Sequence, residues 1–204
     1  MADPAAWDRY KNLPAFVLGF HGCDAAVAEK VIVGKAHLEP SNKPYDWLGS
    51  GAYFWEGSPH RALEWAQTLA AMPNARTSPR GVRKPAVIGA IIDLGFCCNL
   101  FDSGALDELR QAWELMRTAH EATAQPIPDN RGSTPDKLGR FRDRAVVEFM
   151  HQLRSTNGLP PYSTVRAAFP EGGQLYPGAG FTARSHIQLA VRDMACIKGY
   201  FRPL

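Results

Sequence analysis

Much is missing from this chain of 204 residues, and each absence narrows the reading. No apolar run approaches the roughly 18 residues that a membrane-spanning helix needs, so no membrane partner is expected. The opening MADPAAWDRYKNLPAF carries acidic residues and lacks the basic start, apolar centre and small-residue cleavage site of a secretory signal, which makes a cytoplasmic location the expectation. Cysteines are few: Cys23, Cys97, Cys98 and Cys196 form no CxxC, and two of them are neighbours in an apolar segment. That suits reduced, buried thiols better than zinc or a disulfide framework, and no metal site is expected. A dense Lys/Arg block is also lacking. The net charge is only +3, and the richest basic stretch, Arg76 to Pro85 (RTSPRGVRKP), is diluted by Pro, Gly and Ser into what reads as a solvated loop. A nucleic-acid partner is therefore allowed but not implied. Neither an internal repeat nor a low-complexity tract is visible.

What is present reads as one globular domain over residues 1–204, with 45% hydrophobic and 21% charged residues. AFVLGF, Ala15 to Phe20, suits a short strand ending at His21-Gly22. Asp24 is placed to cap a helix carrying Ala25, Ala28, Val31 and Ile32, with Gly34 as its stop. A second helix starts at Ser58-Pro59 and puts Ala62, Trp65, Ala66 and Leu69 on one face. Pro85 to Gly95 reads as a strand buried on both faces. Asp102 or Ser103 opens a helix with Leu106, Leu109, Trp113 and Met116 aligned, and after the loop Gln125 to Pro135 another aligns Leu138, Phe141, Ala145, Phe149 and Leu153. Asn157 to Gly180 is dense in Pro and Gly and reads as irregular and exposed. Ser185 to Asp193 and CIKGYF close the chain as strands. The class is α+β.

Candidate chemistry gathers on strand ends: His21, Tyr53 behind the double glycine of LGSGAYF, and His186 with Gln188 in the last long strand. Phe-His-Gly leaves bare backbone beside an imidazole, open to a planar amide. Four blocks are then informative together: FHG (Phe20 to Gly22), LGSGAYF (Leu48 to Phe54) with a helix containing Ala62 behind it, GAIIDLGFCCNL (Gly89 to Leu100) and QLAVRD (Gln188 to Asp193). In order, and over about a third of the chain, they resemble the catalytic domain of the PARP-like, diphtheria-toxin-type ADP-ribosyltransferases, whose spacing the 32 residues from His21 to Tyr53 also fit.

The resemblance implies a split antiparallel β core with flanking helices and NAD, the co-substrate, held between its halves. His21 would bind the adenine-side ribose, the Gly22 backbone the nicotinamide carboxamide, and Tyr53 would stack on the nicotinamide ring, with His37 near the pyrophosphate. Arg61 and Glu64 stand where the family supplies a carboxamide-binding serine and a second stacking tyrosine, and Gln188 stands where it supplies a catalytic glutamate. A glutamine keeps a hydrogen bond to the ribose hydroxyl but not the charge that stabilises an oxocarbenium-like ribose; neutral bonds are worth about 0.5 to 1.5 kcal/mol and charged ones about 1.5 to 3. Glu56 and Glu64 are the carboxylates near in sequence, although Glu64 also suits an ion pair with Arg61 and Glu56 suits the helix start. His186 shares a strand face with Gln188, which leaves it either a site residue or a structural one. In the family, the loop corresponding to Glu171 to Ser185 contacts the acceptor. The expected activity is mono-ADP-ribosylation of a protein or nucleic acid, as in a bacterial toxin or effector with a neutralising antitoxin or immunity partner. NAD glycohydrolysis and a catalytically inactive NAD or ADP-ribose binding module are the alternatives.

Overall fold

The computed structural model describes residues 16–72, 81–132 and 136–203; the N-terminal segment and part of the basic stretch read above lie outside them. The strands are β1 (Phe16–Asp24), β2 (Ala52–Glu56), β3 (Pro85–Asp93), β4 (Cys97–Asn99), β5 (Thr164–Phe169), β6 (His186–Val191) and β7 (Ile197–Phe201). The helices are α1 (Ala25–Ile32), α2 (Pro59–Ala71), α3 (Ser103–Ala122) and α4 (Phe141–Thr156). All seven strands form one mixed sheet in the order β4-β5-β6-β2-β1-β3-β7, parallel only between β4 and β5. The α+β class read from the sequence holds.

Local chemistry explains the helix starts. Asp24 accepts from the Ala26 N–H at 2.9 Å and Asp102 from the Ala105 N–H at 3.0 Å, each filling an orphan donor of the first turn. Ser58 occupies the cap position of α2 without a capping bond, and Pro59 supplies the helical φ instead.

The two faces of the sheet are covered differently. One face packs Phe54, Ile88, Ile92 and Leu189 against Ala28 and Val31 of α1. On the other, Val165, Ala167 and Ala190 meet Ala112 and Met116 of α3 and Val147 and Met150 of α4, while Phe20 and Trp55 meet Ala62 of α2. This second face is therefore roofed by α2 at one end and by α3 with α4 at the other.

Several expectations need correction. β1 runs on through His21 and Gly22 to Asp24 because its pairing with β3 continues to Asp24↔Pro85. β3 is not buried on both faces: Ile88, Ala90 and Ile92 are inaccessible, whereas Ile91 is exposed. β5 lies inside the segment read as irregular, and its Thr164, Val165 and Phe169 are buried; pairing with β4 and β6 holds as a strand a short run that flanking prolines and glycines disguise. α3 buries Ala105 and Ala112 and exposes Leu106, since small residues let the helix lie close to its neighbours. α4 buries Val146, Val147, Met150, His151 and Arg154, and Leu138 stands exposed before it. Arg154 tolerates burial because Glu108 and the Pro160 carbonyl accept from it at 2.6 and 2.8 Å. All four cysteines are buried as thiols, and burial pushes Cys23 and Cys97 up to about 11.

Candidate functional site

The sheet has a seam. β1 and β2 share only the pairs Gly19↔Glu56 and Phe20↔Trp55; beyond them β1 stays with β3, and β2 stays with β6 from Trp55↔Gln188 to Ala52↔Val191. Strand alternation fixes which backbone groups face the opening. The Leu18 carbonyl accepts from Gly57 N–H across the seam at 2.9 Å, and alternate residues of a strand turn N–H and C=O to the same side. Gly22, four residues further on, thus turns both groups toward the space that β2 has left. On β2 the same parity holds: Gly51 trades bonds with Ser41 on that side, and Tyr53 faces the same way.

One imidazole spans the opening. His21 Nδ1 lies 2.8 Å from the Tyr53 carbonyl oxygen, which only accepts, so Nδ1 carries the proton. Burial holds the His21 pKa below the ordinary imidazole value, with Lys43 adding to the effect. The ring is neutral at pH 7, and its Nε2 is an acceptor suited to a hydroxyl.

Gly22 is required sterically. A Cβ there would stand 2.0 Å from the Ala62 carbonyl oxygen and 3.2 Å from Ala66 Cβ, because α2 lies directly on the strand.

Tyr53 is braced rather than reactive. Its hydroxyl donates to the Gly49 carbonyl at 2.8 Å and accepts from Leu48 N–H at 3.0 Å, and burial raises its pKa further. The turn that holds it is pinned in its own right: Glu148 accepts from Ser50 N–H at 2.5 Å, and Arg192 donates to the Ser50 carbonyl at 3.2 Å. Gly49 adopts φ 81°, which favours glycine.

Gln188 sits opposite Trp55 on β2 and Ala167 on β5. Trp47 Nε1–H donates to its Oε1 at 2.5 Å, and because an indole only donates, the carboxamide nitrogen must be the end turned away from Trp47. Around it runs a series of flat side chains with ring centres 4.7 Å apart for Trp47 and Phe169, 5.4 Å for Phe169 and His186, and 6.1 Å for His186 and Trp55. Side-chain alternation puts Tyr53, Trp55, His186 and Gln188 on the face roofed by helices α2, α3 and α4, and His21 on the opposite face; they converge only at the seam.

The remaining candidates are placed less centrally. Arg61 pairs with Glu64 and, at 2.8 Å, with Glu171, so it ties α2 to the segment after β5; Glu64 is half exposed. Glu56 is held by Arg166 at 2.6 and 2.7 Å on the face away from Gln188 and does not replace its missing charge. His37 lies beside Tyr200 of β7, ring centres 6.4 Å apart, two strands from β1. Sequence reasoning missed Trp47, Trp55 and Glu171, because no local spacing announces residues that meet only across strands. Two cavities of about 490 and 400 Å³ lie toward α3 and α4, and Trp47 lines the second.

Acid should loosen the fold. Burial lowers the pKa of His151 to about 4, with Arg192 contributing, while the unfolded ring titrates near 6.5. Stability from this ring is complete above pH 6.5, is lost as pH falls toward 4, and levels off below, a change of roughly 3 kcal/mol at about 1.4 kcal/mol per unit. Denaturant unfolding across pH 4 to 7.5 should show that limb, flattened in His151→Gln; an unaltered limb would assign it to other groups.

Comparison of the chain with family models, with curated proteins and with solved structures gives no match. Among the described residues, no helix is long and apolar enough to cross a membrane.

Proposed function

We propose that the protein is an NAD-dependent mono-ADP-ribosyltransferase built on a split β core of the PARP-like type, with the β1–β2 seam as its NAD site. The observation that carries the reading is the seam with its contents: Gly22 backbone groups turned into the opening under α2, beside a neutral His21 whose free nitrogen accepts. Gly22 would align the nicotinamide carboxamide, His21 Nε2 would accept a ribose hydroxyl proton in a hydrogen bond, and Tyr53 would present its braced ring to the nicotinamide.

In the reaction the bond from ribose C1′ to the nicotinamide nitrogen breaks, the nitrogen keeps the electron pair, and an acceptor nucleophile attacks C1′ and gives up its proton. The Gln188 carboxamide, its oxygen held by Trp47, would turn its N–H₂ end to a ribose hydroxyl oxygen as a donor and bring no negative charge to the positive character that develops on the ribose. A slow chemical step follows, and the missing carboxylate argues for a single transfer rather than chain growth. A second reading, an inactive NAD or ADP-ribose binding module, draws on the same neutral Gln188 with its oxygen engaged by Trp47.

The test is incubation with labelled NAD and total protein, RNA and DNA. Label transfer with nicotinamide release supports the transferase. Nicotinamide release alone points to hydrolysis, and tight binding without turnover to the module. Gln188→Glu keeps an acceptor for Trp47 and restores the charge, so NAD cleavage should rise roughly tenfold, the difference between a neutral and a charged hydrogen bond. A fall would mean that the amide nitrogen itself is needed.

A further inference from the structure

Two buried polar atoms beside Gln188 lack partners, and they are of opposite kind. Trp55 Nε1 and His186 Nε2 have no hydrogen-bond partner among the described residues, although the two side chains are 5% and 9% exposed. His186 Nδ1 faces the Arg184 carbonyl at 2.7 Å and must donate to it, which leaves Nε2 of the neutral ring as a bare acceptor. Burial lowers the pKa of His186 and keeps it neutral. The Trp55 indole offers only a donor, and its ring centre is 6.1 Å from that of His186. Leaving a donor and an acceptor both buried and unmade is costly, and native structures rarely keep such a pair without use.

We propose that Trp55 and His186 form a specificity pair for a primary aromatic carboxamide: Trp55 Nε1–H donates to the amide oxygen, and His186 Nε2 accepts from the amide N–H₂. The inference rests on the NAD reading, in which that carboxamide belongs to the departing nicotinamide. A primary carboxamide has two lone pairs and two N–H groups, so this pair uses one of each and leaves the others for backbone groups. Flat walls for the ring are supplied by Trp47, Phe169 and Trp55 around Gln188, which compensates for Glu64 standing where the resemblance calls for an aromatic.

Arg61 and Glu171 complete the enclosure. They are joined at 2.8 Å and both lie close enough to His186 to act on its charge; Arg61 Nε, a donor, is a third buried polar atom without a partner among the described residues.

The probes are benzamide and benzoate, measured by calorimetry against the whole protein. A carboxylate cannot donate to His186, so the wild type should bind benzamide at least tenfold more tightly than benzoate. Trp55→Phe and His186→Phe keep aromatic bulk and remove one partner each; each should weaken benzamide binding roughly tenfold, with His186→Phe also erasing the preference over benzoate. Unchanged melting temperatures show that the variants fold. Equal binding of the two probes by the wild type, or benzamide affinity unchanged in both variants, overturns the pair. Benzamide held through Trp55 and His186 by a protein that does not cleave NAD would sink the transferase reading and leave the pair standing. Cleavage that depends on His21 but is indifferent to both variants would do the reverse.

Discussion

His21→Ala lowers nicotinamide release from NAD about 100-fold or more in kcat/KM, with little loss of folded protein. Two hydrogen bonds disappear together in that variant: the bridge from Nδ1–H to the Tyr53 carbonyl at 2.8 Å, and the acceptor Nε2 that the proposed function assigns to a ribose hydroxyl. At about 1 to 1.5 kcal/mol each, their joint loss amounts to roughly two powers of ten. The bridge matters beyond its own energy because, with the His21–Phe54 ring contact, it ties β1 to β2 across a seam that the backbone closes with two residue pairs. His21→Phe separates the causes. It retains the edge contact with Phe54, where the ring centres are 5.9 Å apart, and should preserve the melting temperature while losing the activity. Release within threefold of wild type in both variants would remove His21 from the site, and the seam reading with it.

Gly22→Ala damages the fold and the site at once. The new methyl group would meet the Ala62 carbonyl oxygen at 2.0 Å, and a helix backbone cannot swing aside as a flexible side chain would. Either α2 lifts or β1 bends, at about 3 kcal/mol or more, which for a chain of this length lowers the melting temperature by roughly 6 to 12 °C. Since α2 carries Arg61, the same movement loosens the Arg61–Glu171 contact. Gly199→Ala in β7 is the matched control: a Cβ there meets nothing within 4 Å, so its melting temperature should stay within about 1 °C of wild type. A stable, active Gly22→Ala protein would show that α2 does not lie on this strand.

Readability from sequence varied with the range of the interactions involved. Caps and turns depend on neighbours in the chain, so Asp24, Asp102 and Pro59 marked three helix starts correctly. Apolar periodicity located α3 and α4 but shifted their buried faces, because which side counts as inside depends on the sheet and the partner helix. β5 was invisible for a related reason: TVRAAF becomes a strand by pairing on both sides, and its proline- and glycine-rich surroundings give no hint of that. Within the candidate site, the Arg61–Glu64 ion pair was legible from i,i+3 spacing, whereas the bond from Arg61 to Glu171 spans 110 residues and was not.

By itself the sequence determined the α+β class, the helix starts, the chemistry available at His21, Gly22, Tyr53 and Gln188, and the family resemblance those residues carry. Those are properties of residue type and short spacing, which a chain holds before it folds. Only the tertiary structure decided that β1 and β2 part after two residue pairs, that Gly22 lies under Ala62, that Trp47 orients Gln188, and that the rings of Trp55 and His186 come within 6.1 Å, each with a buried nitrogen that has no partner among the described residues. Each of these depends on strand parity and on side chains brought together from distant parts of the chain, which no local pattern encodes.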